Sequence, residues 1–173
     1  MAKLTGKAKL WLVSSHVVIA AVWFGTALAM VAIALYSNQT ASGDALYTVR
    51  SLLAYLNDYL LMPAATLSIL SGTALCALTV WGFFKHYWVI AKWVGTVTVI
   101  TAISGWVGPW VYAATDIADA ERLNALQNPL FLFDQKAALI GGGLEAIALL
   151  GLILISFLKP WGRRPVKASP KER

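Results

Sequence analysis

The sequence is poor in charge. Only 13% of its 173 residues are Asp, Glu, Lys or Arg, where a soluble domain carries about 25%. With 59% hydrophobic residues, this deficit excludes an ordinary soluble domain. Cysteine is nearly absent. Cys76 stands alone, which excludes an intramolecular disulfide and a CxxC site and leaves a small packing residue. There are two histidines, His16 and His86, and no HExxH, P-loop, Gly-rich nucleotide fingerprint or nucleophile elbow.

What the chain does have is long uncharged runs. Residues 10–43, 59–84 and 93–115 carry no formal charge, and 137–158 carry only Glu145. A spanning helix needs about 20 apolar residues. The runs are apolar on all faces, whereas barrel strands alternate. The chain therefore reads as one all-α transmembrane domain, residues 1–173. Its helices are expected at about 10–36, 59–84, 88–111 and 136–158, in an up-down-up-down bundle. The first run resembles a secretory signal, with a basic start and "ALA" at 27–29. It continues to Tyr36, too long for a signal core, so the helix is expected to be retained.

Lys and Arg set the orientation. Eleven fall on the side of the termini, six of them in the basic tail 159–173, against Arg50, Arg122 and Lys136 on the other side. Both termini are expected in the cytoplasm of a bacterial cell, with the chain in its inner membrane. The charge of +6 is then a topology signal, with anionic lipid rather than nucleic acid as its partner. Most tryptophans fall near helix ends, as an interfacial belt does, and Trp23 near mid-helix is the exception. Outer segments 42–58 and 115–127 have amphipathic patterns. Each is expected to cap the bundle, or in the first case to extend helix 2 outward. Asn128-Pro129 should end the second. Small residues four apart mark every helix: Ala21, Gly25 and Ala29; Ala64, Ser68, Gly72 and Cys76; Ala91 and Gly95; Ala138, Gly142 and Ala146. Such stripes let helix backbones approach, within one bundle or in a homodimer.

Polar groups inside a membrane are costly and point to function. His16 lies about 9 Å inside the membrane by the helical rise and shares a face with Ala20, Trp23 and Ala27. Lys92 lies about 6 Å deep on helix 3, where it either snorkels or joins His16 in holding an anionic group such as a porphyrin propionate. Glu145 lies near the bilayer centre, hydrogen-bonded to a neighbouring helix or serving as a proton or cation site. His86 falls in the turn beside Lys85. Two histidines allow a bis-histidine haem only if that turn folds inward, and a single-histidine haem otherwise. Met30 and Met62 approach one another toward the outer ends of helices 1 and 2, a thin set for copper that reads as packing.

"HVVIAAVWFG", with His16, Trp23 and Gly25, resembles the first helix of a superfamily of small four-helix bacterial membrane proteins. "LMPAATLSILSGTAL" resembles its second helix and "WVIAKWVGTV", with Lys92, its third. The superfamily includes copper-resistance D-type proteins, the bacterial membrane protoporphyrinogen oxidase and an uncharacterised branch of predicted integral membrane proteins, which this chain resembles most. The resemblance implies haem b or a porphyrin at His16 and Lys92, and an oxidoreductase if the chain is an enzyme. Trp23, on the His16 face, and His86, the second histidine, complete the candidate cofactor-binding residues. The competing expectations are a small transporter or proton- or ion-conducting protein centred on Glu145, and a non-catalytic assembly partner.

Overall fold

A computed structural model describes residues 3–37 and 42–162. Residues 163–173, most of the expected basic tail, lie outside the described residues. Six α-helices make four continuous rods: α1 (Gly6–Ser37), α2 (Gly43–Leu56), α3 (Met62–Leu78), α4 (Tyr87–Ala102), α5 (Gly108–Glu121) and α6 (Pro129–Leu158). A π-helical turn, Asn57–Leu61, joins α2 to α3, and a second, Ile103–Val107, joins α4 to α5. Each rod is long and apolar enough to cross a membrane, the architecture of a polytopic membrane protein. Apolar side chains such as Val18, Leu70, Val94 and Leu144 cover its outside, the face a bilayer would contact.

The rods depart from the expected boundaries for identifiable reasons. The second helix stops at Leu78, not at 84. Thr79 turns to extended backbone, its hydroxyl donates to the Leu75 carbonyl at 2.6 Å, and Gly82 takes φ +63°. Lys3 Nζ and Leu4 N then satisfy the free carbonyls of Ala77 and Leu78. At the other boundary, Asn128-Pro129 both ends one helix and starts the next. Asn128 Oδ1 accepts from Leu130 N, and Pro129 occupies the first turn, where its missing N–H costs nothing. Asp134 and Lys136 therefore lie within α6, because charge near an interface does not interrupt hydrogen-bond register.

Both outer segments continue spanning rods, as the outward extension of helix 2 expected for 42–58 has it and unlike the separate cap expected for 115–127. Segment 42–58 is mostly α2, capped by Ser42, and 115–127 is the end of α5 plus a 3₁₀ turn, Arg122–Gln127. They pack on each other through Leu46, Ala114, Ala118, Ala125 and Phe131, all fully buried. The two π turns sit at one depth. Leu61 is 17 positions before the end of α3 (78 minus 61) and Ile103 is 16 after the start of α4 (103 minus 87), which is about 25 Å along each rod. Each turn is followed, two residues on, by a proline, Pro63 or Pro109. A proline inside a helix lacks the N–H for its hydrogen bond and crowds the carbonyl four residues back, and the wider turn relieves both.

Leu61 and Ile103 close this level around Trp23, with Ala27, Ala64, Ala65, Val99, Ala146 and Leu149. This waist divides the bundle into the half that holds the ends of the chain and the opposite half. Of the small-residue stripes, Ala64, Ser68, Cys76 and Ala146 are buried. The α1 stripe is not part of the packing, since Ala21, Gly25 and Ala29 are exposed and a Cβ on Gly25 would meet nothing within 4 Å.

Candidate functional site

In the half that holds the ends of the chain, α1, α3, α4 and α6 enclose a cavity of about 460 Å³, within the usual 300–1,000 Å³ of cofactor and ligand sites. His16, Ala20 and Trp23 line it from α1, Ser68, Gly72 and Cys76 from α3, Trp88, Lys92 and Thr96 from α4, and Leu149, Leu152 and Ser156 from α6. Its walls are largely apolar. No acidic side chain lines it, while Lys92 and Lys159 do. Lys92 makes no hydrogen bond or ion pair among the described residues. A cation facing an apolar chamber without a counter-charge favours an anionic occupant.

His16 is tied to α3. Its Nδ1 lies 2.7 Å from Ser71 Oγ, and that hydroxyl is itself 2.7 Å from the Leu67 carbonyl and 3.2 Å from that of Ser68. The arrangement that serves both helices has the serine proton on a carbonyl and His16 Nδ1–H donating to the serine oxygen. In that tautomer the free lone pair is on Nε2. An imidazole whose other nitrogen donates to a fixed partner is the form in which histidine binds a metal.

His86 is not among the side chains that line the cavity. It occupies the N-cap position of α4, where its side chain makes no capping bond; instead its Nδ1 donates to the Trp81 carbonyl at 3.0 Å, and its ring lies 6.0 Å from that of Trp88. The structure thus brings His16, Lys92 and Trp23 to one chamber and leaves His86 behind its aromatic wall. Among the described residues no three His, Cys, Asp or Glu side chains converge. Met30 and Met62 pack against the waist.

Trp81, Trp88 and Trp93 line the cavity although their positions suggest an interfacial belt. Trp81 and Trp88 meet edge to face at 5.8 Å, with Lys9 5.0 Å over the Trp81 ring and Lys159 5.9 Å over Trp88. The four-residue step Trp88–Lys92–Thr96 carries the signal for this face, and so does Ser68–Gly72–Cys76. Ser71 had no sequence signal, because its role depends on the register of α1 against α3.

Glu145 is buried at the waist. Trp23 Nε1 donates to its Oε1 at 2.9 Å, so the tryptophan stands between the acid and the large cavity. On the far side of the waist lies a second cavity, of about 30 Å³, lined by Glu145, Arg50, Asn57 and apolar side chains. Arg50 is 2% exposed. It donates to Ser37 Oγ at 3.0 Å and to Gln135 Oε1, and its guanidinium lies 5.2 Å from the Phe131 ring. In the sequence Arg50 is marked only as an outer-side charge. The acids of 42–58 gave no hint that the arginine beside them turns inward.

Comparison with known proteins finds no matching family, curated protein or solved structure.

Proposed function

We propose that the large cavity binds a planar, mostly apolar, anionic cofactor of the porphyrin class, haem b being the natural candidate. The supporting observation is the pairing, in one chamber, of an imidazole whose tautomer leaves Nε2 free with a lysine that has no protein counter-charge. The dimensions and the aromatic walls fit a flat ring system. Bound there, a haem would supply one-electron redox chemistry.

The chain's own residues do the rest. His16 offers Nε2 as the single protein ligand, oriented by Ser71. Lys92 neutralises a carboxylate of the cofactor. Trp23, Trp88 and Trp93 exclude water and flank the ring. His86, bonded to the Trp81 carbonyl outside the cavity lining, is not in the ligand set. The reading extends to a bacterial inner membrane with cytoplasmic termini, on the Lys and Arg distribution, and to a homodimer through the exposed α1 stripe.

Haem titration of the protein extracted in mild detergent tests the assignment. A Soret band that is lost in His16→Ala and kept in His86→Ala is expected. Iron-free protoporphyrin should still bind His16→Ala, and more weakly Lys92→Gln. No band at any haem concentration overturns the reading.

A further inference from the structure

The small cavity beyond the waist is bounded by two buried ionisable side chains. Glu145, 6% exposed, has its Oε1 bonded to Trp23. Arg50 Nη2 has two partners, yet its buried Nε–H has none among the described residues. The two make no direct ion pair among the described residues. A volume of about 30 Å³ is enough for a water molecule, and a lining of this polarity holds one where an apolar void would stay dry. Water there supplies the acceptor that Arg50 Nε–H lacks and a donor for Glu145.

The polar line continues away from the waist. Asn57, which also lines the small cavity, donates to Tyr112 Oη at 2.9 Å and to Asp58 Oδ1 at 3.1 Å. Tyr112 in turn donates to Asp58, and both side chains are exposed. In the other direction a single bond, from Trp23, separates Glu145 from the large cavity. Leu149, one turn further along α6, already lines that cavity.

We propose that water held between Glu145 and Arg50 is the central station of a proton path through the bundle, running between the large cavity and the surface at Asp58 and Tyr112. A hydronium arriving on one side gives its proton to the Glu145 carboxylate. An O–H bond forms on Glu145 and the hydronium becomes water. Indole N–H only donates, so release toward the large cavity needs the Trp23–Glu145 bond to open; water from that cavity then takes the proton, restoring the carboxylate, and the bond re-forms. Arg50 stays protonated throughout, since a guanidinium does not exchange its proton in this way. Its charge compensates the carboxylate after release. While Glu145 is neutral, Ser37, Gln135 and the face of Phe131 hold the guanidinium. Both states of the acid are therefore provided for without direct contact between the two charges.

The test is proton entry into vesicles containing the purified full-length protein, read with an internal pH-sensitive dye under a valinomycin–potassium potential. Wild-type vesicles are expected to acidify faster than protein-free vesicles. Glu145→Gln, whose amide oxygen still accepts from Trp23, should fall to the protein-free rate. Ala138→Leu, which fills the small cavity and leaves both charges in the chain, should do the same, and lipid-facing Leu144→Ala should match wild type. Wild-type flux no faster than protein-free vesicles overturns the proposal, as does Glu145→Gln conducting like wild type. Ala138→Leu conducting like wild type removes the small cavity from the path. The measurement needs no bound haem, so it stands apart from the porphyrin reading.

Discussion

The two halves of the bundle share α1 and α6 and differ in almost everything else. The half holding the ends of the chain encloses about 460 Å³ behind tryptophan walls, while the opposite half leaves about 30 Å³. In the first, His16 and Lys92 have few or no protein partners. In the second, Arg50, Asn57, Tyr112 and Thr115 are tied into hydrogen bonds across α1, α2, α5 and α6. The same fold thus places stability and ligand capacity in different halves. In the sealed half most polar groups are tied to one another, and the buried atoms left over, Arg50 Nε, Ser51 Oγ and Arg122 Nη1, face no space for a large ligand. Where a lysine and an imidazole nitrogen are left over, packing has been given up to make room.

Changes in the sealed half should be costly. Arg50→Ala removes the donor that Ser37 and Gln135 share and exposes the Phe131 face to a void. A loss of about 3 kcal/mol is expected, as for hydrogen bonds to a buried charge, measured by thermal unfolding in detergent. Stability within 1 kcal/mol of wild type, roughly the level of one ordinary hydrogen bond, would mean that the two halves are held equally well without this network.

Gly43→Ala tests the same packing at a backbone contact. An added Cβ would stand 2.6 Å from Arg122 Cβ and 2.7 Å from Leu123 N. Backbone cannot yield as a side-chain tip does, so about 2 kcal/mol should be lost.

In the open half, effects should appear in binding instead. Ser71→Ala frees the His16 tautomer and is expected to weaken haem affinity about tenfold, with little change in thermal stability. Equal haem titrations for variant and wild type would show that Ser71 does not orient the ligand.

The smallest effect is expected for Gly72→Ala. Its Cβ would lie 3.5 Å from His16 Cε1, an ordinary contact, and stability should stay within about 0.5 kcal/mol. A loss comparable to that of Gly43→Ala would erase the contrast between the halves.

How far the sequence carried can be judged from particular residues. The four spans were legible because a bilayer demands long uncharged runs, and residues 10–43 or 137–158 permit little else. Their ends were less so. Charge was read as a boundary, whereas Asp134 and Lys136 are helical and the second rod ends at Thr79 and Gly82. The shared face of His16 and Trp23 followed from helical spacing, and both line the large cavity. The inward turn of Arg50 did not follow, because it depends on how α2 lies against α1 and α6. A bond from Glu145 to a neighbouring helix was legible, with Ser, Thr or Trp as the partner, but the choice of Trp23, 122 positions away, was not. Local periodicity gives a face; only the packed bundle says which faces meet.

The paired π turns carry a consequence for how the helices present their sides. A π turn adds one residue to a helical turn, which advances the following side chains by about 100° in phase. The side of α2 that carries Arg50 and Leu53 therefore does not continue in regular phase down α3, and α4 and α5 are offset at the same level. A face tuned for sealing and a face tuned for an occupant can then sit on one rod, each pointing to the axis. Deleting one residue from Asn57–Leu61 would restore the regular winding and force one of the two faces to turn outward.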